Sequence, residues 1–147
     1  RLRALMAYQR IIVPLAGTAV DPDVVRLAVT LAKASKAEIL GVHVIEVRWN
    51  LPLDAVLEPE LDRGEELLAG AARIAEQAGG HLQTELLQAR EAAAAIIDTA
   101  RERGADLVLI GMPYRKRLGR TYVSRTVEEV YVGAPCAVLA YRQEEPR

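Results

Sequence analysis

Five cationic side chains fall within eleven residues: Arg115, Lys116, Arg117, Arg120 and Arg125. Ahead of them Asp106-Leu-Val-Leu-Ile-Gly111 reads as an apolar strand running into a glycine. Behind them Ser124-Arg-Thr-Val-Glu-Glu-Val130 reads as the start of a helix. A strand, a glycine, a basic loop and a helix start, in that order, bring backbone amides, a helix dipole and positive charge to one place, which suits an anionic ligand. Arginine grips phosphate oxygens through a planar fork. Thr126 adds a hydroxyl, and Arg90 is expected at the same rim from the turn after a third strand. The plainer alternative is a solvated basic surface that pairs with Glu128 and Glu129, as charge runs commonly do.

Other candidate chemistry is thin. His43 and His81 have no Cys, Asp or His partner at ligand spacing, so structural roles are expected and no metal site. No Ser-His-Asp arrangement accompanies Ser35 or Ser124. Asp54, Glu58 and Glu60 flank a loop and a helix start, where capping explains them. Cys136 follows Pro135 into a strand, with no cation nearby to activate a thiolate. Trp49 is the one large aromatic in a loop, expected to cap the sheet mouth or to plug the pocket. The expectation is a binding module, not an enzyme.

Composition sets the frame for these residues. With 147 residues, 51% hydrophobic and 27% charged, the chain is expected to fold as one domain with tails at 1–8 and 143–147, the second of them polar. The net charge of −1 gives no global reason to bind nucleic acid or an anionic membrane. A single cysteine excludes an internal disulfide and points to a reducing cytoplasm. No apolar run reaches the ~18 residues needed to span a bilayer, and no leader peptide is visible. The start at Arg1, without methionine, is that expected for a stretch of a longer polypeptide or for a tag remnant.

Apolar periodicity supplies the elements that must position the basic run. Residues 9–14 and 38–45 read as buried strands, the second covered on both faces as in a parallel sheet. Asp21-Pro22 opens a helix whose apolar face includes Val24, Val25, Ala28 and Leu31. A loop over 46–56 leads into a helix from Glu58 to Ala78, closed by Gly79-Gly80. Residues 81–87 alternate, predicting an edge strand. A helix over 91–103, a strand over 106–110, a helix over 124–132 and a strand over 137–141 complete the chain. Strands alternate with helices throughout, which predicts an α/β doubly wound parallel sheet. In such a sheet the turns after strands one and four meet where the winding reverses, and ligands bind there. A positively lined notch is therefore expected between residue 14 and residue 111.

Four segments together resemble the universal stress protein family: Ile11-Ile-Val-Pro14 with Gly17-Thr18, Val42-His-Val-Ile-Glu46, Gly104-Ala-Asp-Leu-Val-Leu-Ile-Gly111 and Ala134-Pro-Cys-Ala-Val-Leu139. The resemblance covers residues 9–142. It implies a five-stranded sheet in order 3-2-1-4-5, Rossmann-like and akin to adenine nucleotide alpha hydrolases, often dimerised through the last strand. It also implies a regulatory role. The loop at Leu51-Pro-Leu-Asp54 and the segment Leu86-Leu-Gln-Ala-Arg-Glu91 look like a branch that also occurs as cytoplasmic tails of amino-acid transporters.

Many members of that family bind ATP through a glycine pattern: Gly, two residues, Gly, nine residues, then Gly and a hydroxyl residue. Here the spacing holds while the residues change. Gly111 matches the first glycine, Tyr114 takes the second place, Ser124 the third and Arg125 the hydroxyl place. Pro14-Leu-Ala16 stands where the family has Pro-x-Asp, so Ala16 removes a carboxylate. Tyr114 puts a ring where close backbone approach was needed, and Ser124 can cap the helix with its own hydroxyl. ATP in the usual manner is thus not expected. Two readings stand. In one, ATP or AMP is held by Arg115, Arg117, Arg125 and Thr126, with Val44 and Ile110 lining the adenine pocket by resemblance. In the other, the chain is a ligand-free homodimeric interaction module.

Overall fold

A computed structural model describes residues 7–147; residues 1–6 of the expected tail at 1–8 lie outside them. Five strands, β1 (Arg10–Pro14), β2 (Glu38–Glu46), β3 (Gln83–Ala89), β4 (Leu107–Met112) and β7 (Ala137–Arg142), form one sheet in the order β3-β2-β1-β4-β7. Every pairing within it is parallel. This is the expected 3-2-1-4-5 arrangement. Helices α1 (Asp21–Lys33) and α2 (Glu58–Gln77) cover one face. Helices α3 (Ala92–Glu102) and α4 (Arg125–Gly133) cover the other.

The core follows from the two-residue period of a strand. Ile11, Val13, Leu107 and Leu109 point to the α1–α2 side and meet Val24, Val25 and Leu68. Ile12, Val108 and Ile110 point the other way and meet Ile96, Val127 and Val130. Each fully buried Val, Leu or Ile contributes about 1.5–3 kcal/mol relative to exposure, so both faces are strongly specified. Asp106 aligns the strand starts: its carboxylate accepts the backbone N–H of Gln9 at 2.8 Å and of Arg10 at 3.0 Å.

Three boundaries differ from the sequence reading in ways that matter. β3 begins two residues later than expected, because Leu40 pairs with Gln83 and the register runs on to Glu46 with Ala89. β4 continues through Met112, so Gly111 lies inside the strand opposite Tyr141 and not in the turn after it. The basic stretch is not an open loop. It folds back as a hairpin, β5 (Lys116–Arg117) with β6 (Arg120–Thr121). Its two-residue turn sets Leu118 and Gly119 both in the left-handed region, at φ 52° and 77°, the geometry that matches the twist of a tight hairpin.

Candidate functional site

A cavity of about 360 Å³ opens at the carboxyl ends of β1, β2 and β4, where the winding reverses. That is within the range of small-molecule sites. Its apolar lining comes from Pro14, Val44, Ile96, Ile110, Met112 and Val127. Its polar rim comes from Thr18, Asp21, His43, Glu46, Arg115, Tyr122, Ser124 and Thr126. The turns after strands one and four do meet, as expected.

Of the residues singled out in the sequence, Pro14, Ala16, Val44, Ile110, Gly111, Arg115, Ser124 and Thr126 line this cavity. Tyr114, Arg117 and Arg125 do not. The Tyr114 ring lies under the Arg142 guanidinium at 4.9 Å and the Lys116 ammonium at 5.9 Å. Its backbone N–H donates to Gln143 Oε1 at 3.4 Å. Arg117 is exposed on the hairpin. Arg125, at the first position of α4, turns outward and pairs with Glu129 one turn on. The expected positively lined notch is therefore corrected: of the five cations only Arg115 lines the cavity, beside two carboxylates.

Arg90 and Trp49 are also relocated. Arg90 Nη1 donates to the carbonyls of Arg48 at 2.6 Å and Leu51 at 2.9 Å, closing the loop after β2. Its guanidinium stacks over the Trp49 ring at 4.9 Å. Trp49 is 77% exposed and neither plugs nor caps the cavity, because the loop's free carbonyls hold Arg90, and Trp49 with it, against β3 and α3.

Gly111 has a packing reason of its own. A Cβ there would stand well inside van der Waals contact distance of Val24 Cγ2 and 3.0 Å from Val20 Cγ1. Its smallness lets α1 lie down on β4. Ser124 caps α4: its Oγ accepts the Val127 N–H at 3.3 Å, and its own N–H faces Met112 Sδ at 3.1 Å. One first-turn donor is thereby satisfied, while the N–H groups of Arg125 and Thr126, as the first two of the helix, have no intrahelical acceptor.

Sequence reasoning missed the carboxylates. Asp21 sits at the entrance of α1, and its carboxylate accepts the Gly17 N–H at 2.9 Å and the Thr18 hydroxyl at 3.3 Å. Burial pushes its pKa up, partly offset by the Gly17 and Thr18 hydrogen bonds. The signal was present, because an acidic residue opens the helix, but a helix-start acid ordinarily faces solvent. Glu46, at the end of β2, accepts the Ala92 N–H at 3.0 Å and so caps α3 from the sheet. His43 Nδ1 lies 2.7 Å from the Leu15 carbonyl, which places the proton on that nitrogen and gives the ring a structural role. Burial raises the Cys136 thiol, with Asp106 adding to the effect. Among the described residues no cluster of three or more His, Cys, Asp or Glu could hold a metal, and no helix is long and apolar enough to cross a membrane.

Comparison with known proteins adds to this geometry. A universal stress protein of Methanocaldococcus jannaschii is 28% identical over 142 residues, covering 92% of this chain and 83% of that protein. The Archaeoglobus fulgidus universal stress protein in complex with dAMP superposes with a TM-score of 0.73 at 21% identity, covering 92% of this chain and 98% of that one. A universal stress protein in complex with cAMP superposes at 0.70 with 19% identity, covering 94% and 99%. The family model described as Universal stress protein family matches residues 7–142. Sheet order, helix placement and that match agree: the chain belongs to the universal stress protein family.

Proposed function

We propose that the protein is a regulatory module that binds an adenine nucleoside monophosphate in the cavity between β1 and β4. The observation that carries this reading is one cavity that joins an apolar lining to hydroxyls and an arginine at the start of α4. Val44, Ile110 and Ile96 offer the flat apolar surface a purine needs. Thr126, Ser124 and Arg115 gather at the amino end of α4, where dipole and free amides favour one phosphate. Pro14, Ala16 and Gly111 bound the space between. With one arginine and two carboxylates on the lining, AMP is favoured over ATP, whose longer anion would find no further cation. Solved relatives in complex with dAMP and cAMP support the ligand class.

Turnover is not part of the proposal. Ala16 offers no carboxylate beside the phosphate end, and Asp21 and Glu46 are engaged in capping turns and helices. The module acts as a homodimer through the free edge of β7, where Leu139 is 42% exposed and Tyr131 and Val132 of the adjoining α4 are more so. Covering that edge removes a pairing hazard. The cytoplasm, which a lone cysteine favours, is the compartment proposed.

Calorimetric titration with AMP, cAMP and ATP tests the reading. Binding of AMP, weakened by Arg115→Ala and unchanged by Arg117→Ala, is the expected result. Absence of heat with all three at millimolar ligand would sink it and leave the ligand-free dimer.

A further inference from the structure

The β5–β6 hairpin touches the cavity only at its flanks, through Arg115 and Tyr122. Its apex is unusual in a different way. Leu118 stands 99% exposed at the turn, in a left-handed conformation at φ 52° that favours glycine or asparagine. Beneath it Lys116, Arg117 and Arg120 project from the two short strands, with Arg115 at the base. From Leu107 to Val127 the chain has no Asp or Glu. None of these four cations belongs to an ion pair among the described residues. The nearby tail that leaves β7 carries Glu144 and Glu145, both exposed.

We propose that this hairpin docks on an anionic lipid surface, its cations among the headgroups and Leu118 in the interface. Charge complementarity selects an anionic partner. The apex favours one anionic partner: a phosphate backbone offers the leucine no apolar contact, whereas the boundary between headgroups and acyl chains takes an apolar side chain flanked by cations. The chain's net charge of −1 does not oppose docking, because fields beyond the screening length of about 8 Å at physiological ionic strength are largely lost. One leucine and the three outward cations Lys116, Arg117 and Arg120 give weak, reversible, salt-sensitive attachment, which a second copy strengthens through linkage, while Arg115 stays with the cavity it lines. The inference is independent of what fills the cavity.

Co-sedimentation of the full chain with vesicles tests it. Vesicles with about a third phosphatidylserine should capture the protein while pure phosphatidylcholine does not. Salt near 1 M, where the screening length falls to about 3 Å, should release it. Leu118→Asn suits the turn at least as well as leucine and should reduce capture roughly tenfold. A Lys116→Glu, Arg117→Glu double variant should abolish it, with circular dichroism checking that the fold persists. Equal capture by both vesicle types, capture by neither, or undiminished capture of Leu118→Asn would overturn the proposal.

Discussion

The connection from β1 to α1 and the connection from β4 to α4 leave the sheet side by side, and they treat charge in opposite ways. The first is short and supplies its own anion. Asp21 folds back onto the Gly17 amide and the Thr18 hydroxyl, so the donors that could cradle a phosphate are already answered. The second is long and has no carboxylate between β4 and α4. It spends one hydroxyl, that of Ser124, on one amide and leaves the start of the helix otherwise open. Topology alone makes both turns candidates for an anion site. The side chains restrict it to one. In the proposed complex the phosphate therefore lies on the β4 side, away from the β1 side, where the Asp21 carboxylate repels anions.

The sharpest way to break this comparison is at Gly111, where the two connections share a wall. Gly111→Ala drives a methyl into Val24 and Val20 and should destabilise the fold by about 1–3 kcal/mol, read as a lowered urea midpoint. An unchanged midpoint would mean that α1 is free to move away and that the two turns are not held together.

Next is the internal anion. Asp21→Ala leaves the Gly17 amide without its acceptor and should cost about 1–2 kcal/mol, measured by chemical denaturation at neutral pH. The pH dependence has a definite sign. Burial holds the folded-state pKa of Asp21 above its ordinary 3.8, so the folded state binds the proton more tightly than the unfolded state. Stability from this group therefore declines as pH rises from about 3.8 to the folded value, and is level above it. Relative to Asp21→Asn, which has no titration, the parent should lose stability across that window; a difference of the opposite slope would refute the assignment.

On the β4 side, Arg115→Ala should weaken AMP about tenfold, as loss of a charge-assisted bond does. Arg125→Ala should leave it within about twofold, since an exposed pair within one helix counts for little. Equal effects from both would show that Arg125 leaves Glu129 and turns into the cavity on binding. The smallest effect concerns the chain's single tryptophan. Trp49 lies with Arg90 against the β3 side, away from the cavity lining, so AMP should leave its fluorescence unchanged while Arg90→Ala shifts it.

Much of this was legible in the residues. The near-continuous apolar run at Glu38–Ile45 foretold a strand covered on both faces, and Val24, Val25 and Ala28 foretold the face α1 buries. The hairpin was not legible, because its turn is Leu118-Gly119 and lacks the Asn-Gly or Asp-Gly pair that ordinarily announces left-handed geometry. Arg90 was misread for a related reason. Its place after β3 is near the rim, but three carbonyls of the loop after β2 hold its guanidinium, and it does not line the cavity between β1 and β4. Spacing placed Tyr114 and Arg125 in the glycine pattern, yet Tyr114 is held under Arg142 and Arg125 by Glu129.

What the amino-acid order determined by itself is the alternation of strand and helix, hence the wound sheet and the meeting of residues 14 and 111. Apolar periodicity is a local property, repeated along the chain, and it dictates which face of each element is buried. What only the tertiary structure decided is where the charges point. A long side chain goes to whatever acceptor or donor is nearest in space, and for Arg90 and Glu46 that partner comes from another part of the chain.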